Sequence, residues 1–212
     1  MNFREFHDMM LSFVIFSYED IKGVFGSIDR RRIHEWTQKG YIHQIIKGYY
    51  LFKEFRDIEN LGLLISNKIY EPSYLSMEFV LSSEGVIPEA VYTFTAVGTR
   101  KTSSFSTPFG DYYYHSIKNN LFSGYELKKI EINLNGRVLE RFARVACLEK
   151  AFFDFIYFRK RYVDDNDIPG FRFDPVVLSR INKNRLYDFI SLSGNRKIEI
   201  TISKILNQNV IT

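Results

Sequence analysis

Residues 28–53, IDRRRIHEWTQKGYIHQIIKGYYLFK, restrict what the chain can fold into more than any other stretch. They read as a short basic helix, a glycine stop and a tight hairpin. Ser27 or Asp29 can cap the helix start. Ile33 and Trp36 fall on one helical face, and Arg31, His34, Glu35 and Gln38 take the opposite one. Gly40 stands just past the helix end, where a left-handed residue is favoured. Lys47 and Gly48 then separate two strand-like runs, YIHQII and YYLFK, as a two-residue turn would. Helix and hairpin in this order form the core of a winged helix-turn-helix, whose helix can enter a DNA major groove while the hairpin touches the backbone beside it.

Charge is concentrated in the same stretch. Between Asp29 and Lys53 six Lys and Arg stand against Asp29 and Glu35, a net of +4, whereas residues 1–28 carry two cations and four carboxylates, a net of −2. Clustered cations on a reading element are what a nucleic-acid partner requires. The alternative is a small packed helix and hairpin with a solvated arginine face. On the first reading Arg31, His34 and Gln38 reach base edges, and Arg30, Arg32, Lys39 and Lys47 meet phosphates.

The whole chain, 212 residues with 45% hydrophobic and 17% aromatic side chains, has room for one or two domains and the makeup of ordinary folded protein. Its single cysteine, Cys147, has no partner for an internal disulfide and excludes a cysteine-based metal site. No apolar run approaches a membrane span, and the opening MNFREFHDMM carries Glu, His and Asp where a signal peptide is apolar. The expectation is a cytoplasmic protein with no membrane association.

In chain order, Asn2 and Glu5 have capping-box spacing, and Phe3, Phe6, Met10 and Phe13 predict an amphipathic helix over residues 3–15. Ser17 starts a second helix that Gly26 ends. These two and the basic helix make up the three helices of a winged helix. Arg56 and Asp57 mark a boundary between residues 1–56, a DNA-binding domain, and residues 57–212, an α+β domain with antiparallel strands and a helical C-terminus. Ile58, Leu61, Leu64, Ile65 and Ile69 begin a helix that Glu71 and Pro72 break. Ser76 caps another, through Ser83. From Val91 the chain is β-branched and aromatic between turns. Asn135-Gly136 predicts a hairpin joining strands near 127–134 and 137–144, in a register that sets Glu131 opposite Glu140 and calls for a bulge or a frayed end. A nearly buried helix follows, closing on Arg159, Lys160 and Arg161, and then the loop VDDNDIPGFR. Asp174 and Pro175 open helices over 175–181 and 184–192. The tail fits a strand through Ile198, Ile200 and Ile202, or a helix through Ile198, Ile202, Ile205 and Leu206; helix is the expectation.

Enzyme signatures are absent. There is no HExxH, GxSxG or phosphate-binding loop, and His7, His34, His43 and His115 have no ligand spacing. Asp164, Asp165, Asp167 and Asp174 lack the order of a calcium loop and read as a solvated acidic loop. Glu149, Lys150 and Asp154 resemble a nuclease set, but Lys150 and Asp154 stand four apart, so an ion pair on one helix turn accounts for them. If exposed, that pair is worth about 0.3–0.5 kcal/mol. Arg100 and Lys101 form a solvated turn or a second anion contact. The expectation is a protein that is not an enzyme, with no metal and no cofactor.

Three blocks of residues resemble the abortive-infection AbiE-type antitoxins (AbiEi) of type IV toxin–antitoxin systems. The first joins Trp36, Thr37, Gln38, Lys39 and Gly40 to Lys47, Gly48, Tyr49 and Tyr50. The second joins Pro72, Ser73, Tyr74, Leu75 and Ser76 to Gly85, Val86, Ile87, Pro88 and Glu89. The third is Glu149, Lys150, Ala151, Phe152, Phe153 and Asp154. The chain departs from the family at Leu148, where proline is common, and at Val80, where a small residue is usual. The resemblance implies a winged helix that binds the operator DNA of its own operon and represses it. It also implies a C-terminal domain that opposes a nucleotidyltransferase-like toxin without a stable complex. The competing expectation is a winged-helix regulator or a protein-interaction module with no antitoxin role.

Overall fold

A computed structural model describes residues 2–134, 136–159 and 168–208. Two sheets organise them. The N-terminal part comprises α1 (Phe3–Met10), β1 (Ile15–Ser17), α2 (Tyr18–Phe25), α3 (Arg30–Gln38), β2 (Ile42–Ile46) and β3 (Tyr49–Phe52). Its three strands form an antiparallel sheet in the order β1-β3-β2. The rest comprises α4 (Leu61–Ile69), β4 (Ser73–Leu75), α5 (Met77–Ser83), β5 (Phe94–Gly98), β6 (Ser103–Thr107), β7 (Gly110–Ser116), β8 (Tyr125–Leu134), β9 (Arg137–Ala146), α6 (Leu148–Arg159), α7 (Pro175–Leu178), α8 (Lys183–Ser193) and α9 (Arg196–Gln208). The second sheet has the order β6-β7-β5-β4-β9-β8 and is mixed, with β4–β9 and β5–β7 parallel. The chain is thus α+β with a helical C-terminal part. No helix among the described residues is long and apolar enough to cross a membrane.

Local signals set most boundaries. Asn2 and Glu5 form the capping box of α1, and Ser17 and Asp20 form another at α2, which Gly26 closes. Asp174 caps α7 through the amides of Val176 and Val177, with Pro175 in the first turn. The expected helix over residues 3–15 is shorter. It stops at Met10, a single tight turn covers Leu11–Phe13, and Val14 takes a positive φ of 61°. That reversal releases Ile15–Ser17 to pair with Tyr49–Leu51 as β1, so strand pairing takes residues whose apolar spacing also suits a helix.

The hairpin register is as read, with Glu131 opposite Glu140. No bulge relieves the repulsion. Lys129 instead bridges both carboxylates, at 2.8 Å to Glu131 and 2.5 Å to Glu140. Gly136 has a φ of +81°, while Asn135 lies outside the described residues. So do Lys160, Arg161 and the acidic residues Asp164, Asp165 and Asp167. The tail is the helix α9, which buries Ile198, Ile202, Ile205 and Leu206.

The two sheets share one continuous apolar core, with Phe55 fully buried at the passage between them. Asp20 of α2 pairs with Lys68 of α4 at 3.0 Å. The backbone and hydroxyl of Ser17 together with Lys68 hold the Asp20 carboxyl below its ordinary range against the opposing effect of burial, the largest single influence on it.

Candidate nucleic-acid interface

The exposed face of α3 is built from its cap. Asp29 accepts a hydrogen bond from the Arg31 amide at 2.9 Å, which starts the helix at Arg30. Ile33 and Trp36 then turn inward, 1% and 4% exposed. Trp36 packs on Phe6 and Phe3 of α1, with ring centroids 4.7 and 5.4 Å apart. Gly40 adopts a φ of +68°, and the Tyr41 amide bonds the Trp36 carbonyl at 2.9 Å, so the chain turns straight into β2.

All seven residues singled out in the sequence, Arg30, Arg31, Arg32, His34, Gln38, Lys39 and Lys47, are solvent-exposed. They are not equally available. Lys39 pairs with Glu35 at 2.6 Å on the helix surface, and this contact holds the Glu35 carboxyl below its ordinary range. Arg30 lies over the ring of Tyr18, 5.1 Å from its centre, which directs it toward α2. Arg31, His34 and Gln38 carry the outer stripe of the helix. Lys47 stands in the turn between β2 and β3, next to Gly48 at a φ of +88°. A register shift between Gln44 and Ile46 bends β2 just before that turn.

Sequence reading missed the neighbour of this face. A groove of about 370 Å³ runs along Thr37, His43 and Gln44 to Arg56 and Asp57, and is closed by Pro108 and Phe109 of the β6–β7 turn. Arg56, exposed, adds a cation beside the hairpin. The available signal was a basic residue four positions after the second strand, past the turn Lys53–Phe55. Burial, followed by the charges of Arg56 and Lys53, pushes the His43 imidazole below its usual value, toward its neutral form.

The second set considered in the sequence lies in the interior. Lys150 and Asp154 of α6 form an ion pair at 2.5 Å, with both side chains 0% exposed. The pair is therefore real, and it is buried, not on the helix surface. Asp154 also accepts hydrogen bonds from the Tyr74 hydroxyl at 2.9 Å and the Ser76 hydroxyl at 2.8 Å. Ser76 precedes α5 as its cap residue, but its side chain serves Asp154 and makes no cap bond. The ammonium lies over the rings of Phe153, Phe189 and Tyr74. Burial pushes the Asp154 carboxyl up and the Lys150 ammonium down, and pushes the Tyr74 hydroxyl well above its ordinary value. These rings cover the ammonium within the core. The cluster joins β4 to α6, and so joins residues 72–76 to residues 149–154.

Nearby, Glu149 accepts the Asn182 amide at 2.9 Å, and Arg185 contacts Glu126 at 3.2 Å, which ties α8 to α6 and β8. Among the described residues no group of three His, Cys, Asp or Glu side chains is placed to hold a metal ion. No protein-family model matches the chain, and no curated protein matches it.

Proposed function

We propose that residues 1–56 are a winged helix-turn-helix that binds the operator DNA of the protein's own operon and represses it. We propose further that the chain acts as an antitoxin of the AbiE type against a nucleotidyltransferase-like toxin, with no stable complex between the two. The observation that carries the DNA half is the outer stripe of α3. Arg31, His34 and Gln38 are exposed along it, Ile33 and Trp36 are buried behind it, and the exposed Lys47 stands at the adjoining hairpin turn.

In this reading α3 enters the major groove, where Arg31 suits a guanine edge and Gln38 an adenine edge. Arg30, Arg32, Lys39 and Lys47 meet phosphates, and Arg56 extends that track. Lys39 gives up little in leaving Glu35, because exposed ion pairs are weak. The protein works in the cytoplasm and is not an enzyme in this reading. The antitoxin half rests on the three sequence blocks. Two of them, residues 72–76 and 149–154, meet at the Asp154 carboxylate, which gives their joint occurrence a physical reason.

Binding to the upstream DNA of the gene tests the first half. Arg31→Ala is expected to weaken operator binding by about 1–3 kcal/mol and to relax sequence preference at one base pair. Lys47→Ala is expected to weaken all sequences evenly and reduce the slope of log affinity against log salt by about 1. Equal, sequence-blind losses for both would overturn the assignment of Arg31 to a base.

Cells expressing the toxin test the second half. The full-length Arg31→Ala chain is expected to protect them fully while repressing the operon less than the parent. A wild-type chain that represses without protecting would leave a regulator or interaction module with no antitoxin role.

A further inference from the structure

β8 is the outer strand of the six-stranded sheet, paired to β9 on one side. Along its other edge no strand or turn among the described residues hydrogen-bonds the backbone. A ten-residue edge is long to leave open, and proteins blunt such edges with lysine. Lys128 and Lys129 alone would fit that device. The residue that departs from it is Glu131, which shares a face with Lys129 two positions along the strand.

Antiparallel pairing of β8 with a second β8 about a two-fold axis keeps each face together only when the axis passes through a residue, because a one-residue slip exchanges the faces. An axis through Lys129 sets lysine against lysine. An axis through Glu131 sets glutamate against glutamate. An axis through Ile130 sets Lys129 opposite Glu131 of the second copy and, by symmetry, Glu131 opposite its Lys129. Of these three axes, which pair most of the strand, charge favours the one through Ile130: it brings Glu131 of the second copy to the Lys129 that already bridges Glu131 and Glu140 of its own chain. The same register sets Leu127 opposite Asn133 of the second copy, one strand from its Val138. Leu127 and Val138 are 62% and 55% exposed in the single chain.

We propose that β8 pairs antiparallel with β8 of a second copy of this chain about an axis through Ile130, which joins the two six-stranded sheets into one. An isologous contact of this kind closes at a dimer. The inference stands apart from the DNA reading, since none of its residues belongs to α3 or the β2–β3 hairpin.

Sedimentation of the full chain over a range of concentrations tests it, and the expected limiting mass is twice 25.1 kDa. Each charge change enters twice by symmetry, so Lys129→Glu and Glu131→Lys are each expected to raise the dimer dissociation constant roughly ten- to thirtyfold. The double swap is expected to restore it, and melting curves establish that each variant folds. A second measurement is independent of these charges. A Leu127→Cys/Asn133→Cys chain should form a covalent dimer on oxidation, because six positions along one strand lie too far apart for an internal bridge. A monomer at every concentration, a dimer indifferent to both single charge changes, a double swap that restores nothing, or no covalent dimer would each overturn the proposal.

Discussion

Lys150→Ala is expected to destabilise the protein by about 3–5 kcal/mol, because it leaves the Asp154 carboxylate buried with no cation. For a chain of this size that loss lowers the melting temperature by roughly 6–20 °C. The same pair on an exposed helix surface would be worth about 0.3–0.5 kcal/mol. The tenfold difference comes from burial, since both side chains are 0% exposed. Asp154 would keep the hydroxyls of Tyr74 and Ser76, which soften the loss without replacing a charge. The rings of Phe153 and Phe189 would lose the alkyl stem packed between them. Chemical denaturation of the two chains at neutral pH is the measurement. A loss below about 1 kcal/mol would mean that water reaches the pair. The proposed operator binding, measured well below the melting temperature, should stay unchanged, because none of these side chains belongs to α3 or the β2–β3 hairpin.

How much of this was legible in the sequence depends on where each interaction partner sits along the chain. The α3 helix and its hairpin are encoded locally: Asp29 caps, Gly40 and Gly48 supply positive φ, and Ile33 and Trp36 keep one face. The relief of Glu131 against Glu140 was also local, because Lys129 lies two residues away, but its long side chain reaches across the ladder in a way that pairwise opposition does not reveal. β4 was illegible. It has three residues, all buried, too few to display alternation, and its neighbours β5 and β9 lie far along the chain. Its Tyr74 and Ser76 are what turn the Lys150–Asp154 pair from a surface contact into the centre of a buried cluster. The spacing of that pair is the same in either setting. The better guide was the composition of α6, where Ala151, Phe152, Phe153, Phe155 and Ile156 surround the helix and leave no face for water. The exposure of Arg31, His34 and Gln38 was legible from helical spacing alone. The groove beside them was not, since Pro108 and Phe109 arrive from the other sheet.

Trp36→Ala is the second large effect, expected to cost about 3–5 kcal/mol as other buried aromatic truncations do. Trp36 is the one tryptophan of the chain and is 4% exposed, between α3 and the rings of Phe3 and Phe6. Its removal opens a cavity at the seat of α3, so the outer stripe of Arg31, His34 and Gln38 loses the surface that aims it. The proposed operator binding should therefore fall together with stability, although Trp36 faces away from the stripe. Trp36→Phe separates the two causes. It keeps an aromatic ring against Phe6, and is expected to recover most of the stability and most of the binding. The native emission of Trp36 supplies a direct check on the parent chain: it should be blue-shifted and protected from soluble quenchers, and should shift to the red on unfolding. A Trp36→Ala chain that melts with the parent, or a parent tryptophan freely quenched in the folded state, would place the indole at the surface. Loss of operator binding at unchanged stability would then make Trp36 a DNA contact in its own right.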